Sequence, residues 1–231
     1  MIKNHPTPHW IYLGGLTLAT TAGAINAVGF LGQHHQALSH MTGTVTVLGL
    51  ELARAGYGVA LHAFWILAAF FLGCLVSGAI IRQTSLQIGR RYGVALSLES
   101  LLLLLAVYFL RQGASVGDYL AAMACGLQNA MVTTYSGSTM RTTHLTGMVT
   151  DLGITCGHFL RGMAVDWFRF RIYGVLLVGY FAGAVLGALG YGRWGYDTLL
   201  LPAVLSGVTG LGYTILKHRE HLRSRANPRL P

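Results

Sequence analysis

Apolar residues run through this chain in long unbroken windows instead of alternating. Windows of about spanning length fall at 10–31, 62–81, 92–110, 118–136, 172–190 and 198–216. A helix rising 1.5 Å per residue needs about 20 apolar residues to cross a bilayer, and all six windows come close. Two further stretches, 39–55 and 143–160, are apolar but shorter, and they are crowded with Thr, Gly, His and one acid each. The pattern predicts six spanning helices and two short re-entrant or partly inserted helices in an all-α integral membrane protein.

Composition agrees. Of 231 residues, 53% are hydrophobic and only 10% charged, with a mean hydropathy of +0.54. A disordered chain, a coiled coil, a disulfide scaffold and most soluble enzymes are excluded. Cys74, Cys125 and Cys156 form no C-x-x-C pair and read as small packing residues. The 16 Lys and Arg against 7 Asp and Glu would suggest nucleic acid for a soluble protein; here they read as basic loops that set orientation. With six spans and an inside N-terminus, 13 of the 16 fall inside, against 11 if all eight segments crossed. Both termini are therefore expected in the cytoplasm. The apolar stretch after Lys3 continues to Leu31 and reads as a first span, not a cleaved signal peptide.

The chain also repeats itself. Ser39-His40-Met41-Thr42-Gly43 returns as Thr143-His144-Leu145-Thr146-Gly147, at an offset of 104, and Asn26-Ala27 returns as Asn129-Ala130 at 103. Ser77-Gly78-Ala79 aligns with Ala182-Gly183-Ala184 at 105. Three crossings per half is odd, so the halves 10–110 and 118–216 would be inverted, in a single membrane domain with a basic tail at 217–231. Gly179, Gly183 and Gly187 recur every fourth residue and predict close helix packing, with Gly73 and Gly78 as first-half candidates.

The stretches 22–31, 39–44, 126–130 and 141–147 resemble the signatures of the YoaK-like family. The resemblance covers about 10–216. It implies a bacterial membrane protein of about six spans, hence a multi-pass protein of the inner membrane, and it implies no activity. Many members carry Asp where this chain has Asn26.

Chemistry concentrates in the short segments. Each opens with a residue suited to N-capping, Ser39 or Thr143, then His40 or His144, then Thr42-Gly43 or Thr146-Gly147. Helix N-termini favour anions, and two of them approaching from opposite sides would frame a site between inverted halves. Asn26, Gln128 and Asn129 would add neutral hydrogen bonds. Arg141, within the hydroxyl-rich run 136–144, would attract an anionic group. Glu51 follows His40 by eleven residues and Asp151 follows His144 by seven, so each acid lies on its histidine's helix face. With Glu99, amid leucines in the 92–110 window, they are candidates for proton or ion coupling. His34 and His35 are adjacent and point apart on most backbones, so no metal site and no cofactor is expected.

No H-E-x-x-H, G-x-S-x-G or P-loop motif occurs. The leading expectation is a small-solute transporter or permease. Its rivals are a membrane enzyme acting on a lipid or isoprenoid headgroup and a structural or interaction role. Expected partners are membrane lipids and a small solute, with homo-oligomerisation left open and nucleic acid excluded.

Overall fold

In the computed structural model, residues 9–81, 90–135 and 141–226 are described. They form α1 (His9–Leu31), α2 (Met41–Ala53), α3 (Tyr57–Ile80), α4 (Arg90–Arg111), α5 (Val116–Tyr135), α6 (Leu145–Leu160), α7 (Trp167–Trp194), a 3₁₀ turn (Gly195–Leu199) and α8 (Leu200–Ala226). No strand occurs among the described residues. Every predicted window coincides with a helix. The largest differences are in α7, which extends the 172–190 window at both ends, and α8, which continues to Ala226. Asp166 explains the earlier start of α7, because its Oδ1 accepts from the backbone N–H of Phe168 and Arg169, both at 3.1 Å. Gly195, at φ 56°, then ends α7 in the left-handed region.

Four helical stretches are long and apolar enough to cross a membrane: Ile11–Leu31, Tyr57–Ile80, Arg91–Arg111 and Trp167–Leu216. The last runs over 50 residues, through α7, the turn and α8. Hydroxyls inside the helices do not burden an apolar setting, because Thr17, Thr21, Thr134 and Thr209 each donate to the carbonyl four residues back.

Glycine sets which helices touch. A Cβ on Gly23 would strike the Tyr180 carbonyl oxygen, and one on Gly183 would strike that of Thr20. Gly179, Gly183 and Gly187 meet Leu16, Thr20 and Ala24 in ascending order, so α1 and α7 run parallel in contact. The pair α3 and α5 repeats this arrangement: Gly126 lies on the Phe70 carbonyl and Gly73 on that of Met123, again in parallel. Gly78, by contrast, has open space around it. The Ser77-Gly78-Ala79 alignment is therefore out of register with the packing, in which Gly73 does what Gly183 does, at an offset of 110. The extra residues enter in α6, 16 long against 13 for α2, and in the link that follows it. Helices α4 and α8 are antiparallel: Ser97 backs onto Gly210, and Ser100 onto Gly207.

These directions gather the ends. The α1–α2 loop, the start of α3, the α4–α5 turn and the 3₁₀ turn share one end, called distal here. Gln33 N–H donates to the Tyr196 hydroxyl at 2.9 Å, and Arg111 pairs with Asp197 at 2.6 Å. The Arg111 guanidinium holds the Asp197 carboxyl below its ordinary value. The stabilisation from this exposed pair is thus present at neutral pH and lost as pH falls through the lowered carboxyl value. We expect the melting temperatures of wild type and Arg111→Ala to differ little at neutral pH and to converge in acid or at high salt.

Candidate functional site

The loop before α2 dips back into the bundle. Asn26 is buried five residues before the end of α1, and its Oδ1 accepts from Leu38 N, Ser39 N and Ser39 Oγ, each at 3.1 Å. The Tyr180 hydroxyl of α7 reaches the same serine. α2 thus begins below the distal end and closes on α3 through three residues, 54–56, at that end. Asn26→Ala removes one acceptor from three donors and should cost about 1–3 kcal/mol. The expected readout is a lower melting temperature and faster proteolysis in 32–40. Asn26→Asp, which keeps the acceptor, should retain the loop.

The second buried cluster joins three helices. Glu99, fully buried on α4, accepts at Oε1 from Gln128 Nε2 of α5 at 3.0 Å, and Ser206 of α8 lies beside it. Gln128 Oε1 in turn accepts from Thr142 Oγ1 at 3.4 Å, just ahead of α6. Glu99 Oε2 and Asn129 Oδ1 are buried without a hydrogen-bond partner among the described residues. No cation contacts this carboxyl among the described residues, and its partners there, Gln128 and Ser206, are neutral.

Ser206 connects the cluster to a cavity of about 380 Å³ between α1, α4, α5 and α8. Its walls are hydrocarbon (Leu18, Leu96, Met131) with scattered hydroxyls (Thr17, Thr21, Thr209). The lining comes from the first half of α1 and the last part of α5, so the cavity sits toward the end opposite the distal one. Beside it α1 and α8 barely meet, whereas α4 and α5 pack closely along their distal halves through Ala106, Leu110, Gly117 and Ala121.

The paired motifs are placed differently from their sequence reading. His40 and His144 are themselves the N-cap residues, without a side-chain cap bond, so Ser39 and Thr143 do not cap. Ser39 is held by Asn26 instead, and Thr143 is half-buried. Both imidazoles fold over the first turn: a Cβ on Gly43 would lie 2.9 Å from His40 Nδ1, and one on Gly147 would overlap His144. That explains glycine three residues after each histidine. Thr42, Thr146, Arg141 and both histidines are exposed. Residues 136–140 of the hydroxyl-rich run lie outside the described residues.

The acids on the short helices do not join their histidines. Eleven and seven residues amount to about 16 and 10 Å along a helix, beyond side-chain reach despite the shared face. Glu51 pairs with Arg54 at 3.7 Å, and Asp151 meets the Tyr173 hydroxyl of α7. Sequence reasoning missed Ser206 and Thr21, and placed Thr142 only in the hydroxyl-rich run, not against Gln128. A serine or threonine within an apolar run carries no signal of its own until the helix packing shows what it faces.

An all-helical bundle with four membrane-length apolar stretches and a buried carboxyl among neutral partners defines a helical membrane protein. More narrowly, the chain belongs to the DUF1275 family, described as a protein of unknown function, which it matches over residues 14–212. No curated protein and no solved structure matches it.

Proposed function

We propose that the chain is a small-solute permease of a bacterial inner membrane, built from two inverted halves of three crossings each, with Glu99 as its proton carrier. The observation that carries this reading is a fully buried carboxyl, one oxygen of which has no partner among the described residues, beside Ser206, which lines the cavity between α1, α4, α5 and α8. An ionisable side chain at bilayer depth is costly, and such groups mark ion and substrate paths.

Inversion is supported by packing. The parallel α1–α7 and α3–α5 contacts exchange under offsets of 103 and 110, which pair Gly23 with Gly126 and Gly183 with Gly73. The offset of 110 also carries the Ser97–Gly210 contact onto Ser100–Gly207. Under the same exchange the closed α4–α5 interface corresponds to the α8–α1 interface, which opens into the cavity. One interface shut and its counterpart open is the asymmetry expected of alternating access.

The count of basic residues supports a cytoplasmic cavity end, together with both termini. Arg141 stands exposed at that end and would draw anions toward the mouth. The hydroxyl and hydrocarbon lining suits a small amphipathic solute that binds uncharged or together with a proton.

The reading is tested in proteoliposomes enclosing a pH-sensitive dye. A panel of small neutral and monoanionic solutes, each imposed as a gradient, should include members that change lumenal pH only when the protein is present. A panel that moves no protons contradicts the reading.

A further inference from the structure

We propose that His34, His62 and Asp118 form a binding site for a divalent transition-metal ion of the zinc type. The three residues come from the α1–α2 loop, α3 and the first turn of α5, and each offers a ligand atom within 4.8 Å of the others. Asp118 Oδ2 lies 2.7 Å from His34 Nδ1 and 3.5 Å from His62 Nε2. Ligand atoms about 2.0–2.2 Å from a tetrahedral ion are spaced about 3.4 Å apart. The His62–Asp118 edge already has that length, and the His34–Asp118 edge needs to open by about 0.7 Å.

Both rings are held from behind. His62 Nδ1 contacts the Tyr119 hydroxyl at 3.0 Å, and His34 Nε2 contacts Ser115 Oγ at 3.3 Å. A ligating histidine commonly donates its other N–H to such a group, which fixes the ring and leaves the remaining nitrogen for the metal. With these contacts made, His34 Nδ1 and His62 Nε2 both face the same carboxylate oxygen.

A plain ion pair between His34 and Asp118 leaves half of this unexplained. Among the described residues His62 Nε2 is buried without a hydrogen-bond partner, although it lies beside that carboxylate. Gln36 Oε1 is likewise buried without a partner among the described residues, and Gln36, His34 and His62 line one cavity of about 540 Å³. Buried acceptors around a cavity beside a carboxylate suit a cation, with the fourth coordination position open to water. Two imidazoles and one carboxylate favour zinc, cobalt or nickel over magnesium or calcium.

His35 takes no part; its Nδ1 lies 3.0 Å from the Phe30 carbonyl oxygen. The adjacent histidines do point apart, and the second imidazole comes from α3. In the six-span layout, residues 34, 62 and 118 all fall at outward ends, and this was the sequence signal available. An ion here would tie the α1–α2 loop to α3 and α5 at the distal end, away from the Glu99 cavity, so the site stands independently of transport.

The test uses tag-free protein in mild detergent, titrated with Co²⁺ and Zn²⁺, with binding followed by visible absorption and melting temperature. One equivalent of Co²⁺ should give the strong visible bands of a four-coordinate site, and Zn²⁺ should displace it. Zn²⁺ should raise the melting temperature where Mg²⁺ and Ca²⁺ do not. His34→Ala, on a half-buried loop residue that does not threaten the fold, and Asp118→Asn should both abolish the bands, while His35→Ala keeps them. Absence of stoichiometric binding, bands that survive His34→Ala, or bands lost equally in His35→Ala would overturn the assignment.

Discussion

Gly183→Leu is expected to abolish the folded, monodisperse protein. The glycine Cα faces the Thr20 carbonyl of α1 so closely that even a methyl group would overlap backbone atoms, and a methyl group on Gly187 would lie only 2.7 Å from the Ala24 backbone. A side chain can swing aside, but a helix backbone cannot. The two helices would have to separate along their whole contact. Forcing methylenes into a packed site typically costs about 1–3 kcal/mol, and more where the backbone must move. Here we expect about 3 kcal/mol or more, a large share of the 5–15 kcal/mol that holds a typical domain. Gly192→Leu, on the same helix with open space around it, should leave the melting temperature and the size-exclusion profile unchanged. In the first half the matched pair is Gly73→Leu, expected to be severe, and Gly78→Leu, expected to be mild.

Glu99→Gln is expected to uncouple the protein without unfolding it. An amide there keeps a neutral hydrogen-bond link to Gln128 and removes a group whose ionised form is expensive at zero exposure. The melting temperature should hold or rise, while solute-driven proton movement into proteoliposomes falls to the protein-free level. Glu99→Ala should behave differently, leaving Gln128 Nε2 without its acceptor and costing about 1–3 kcal/mol in stability. A purely structural acid would reverse the first result: Glu99→Gln would lose stability and keep flux.

Much of the frame was legible from hydrophobic windows alone, because a bilayer-length apolar run has few other uses. The two short helices were legible as well, from the repeated His-x-Thr-Gly. The role of that motif was not. Pattern alone makes Ser39 a cap, whereas Asn26, thirteen residues back, holds it through a loop whose path no local rule predicts. Register failed for a similar reason. Small residues are common in spans, so Gly78 aligned well enough, and only the packing against Met123 singles out Gly73. Glu99 stood out at once because a charge in a leucine run is rare. Its neighbour Ser206 did not, since hydroxyls bond their own helix in most spans and are silent about tertiary contacts.

Side-specific labelling of two matched cysteines tests the inverted, one-sided arrangement most directly. Leu18 lines the cavity, and its counterpart at an offset of 103 is Ala121, fully buried against α4. In a background without the exposed Cys156, each position is changed to cysteine in turn and treated with a small membrane-impermeant thiol reagent from either face. The account predicts that Leu18→Cys reacts from the cytoplasmic face only and that Ala121→Cys is protected from both. Reaction of Leu18→Cys from the outer face, or equal reaction of the two positions from one face, would contradict it.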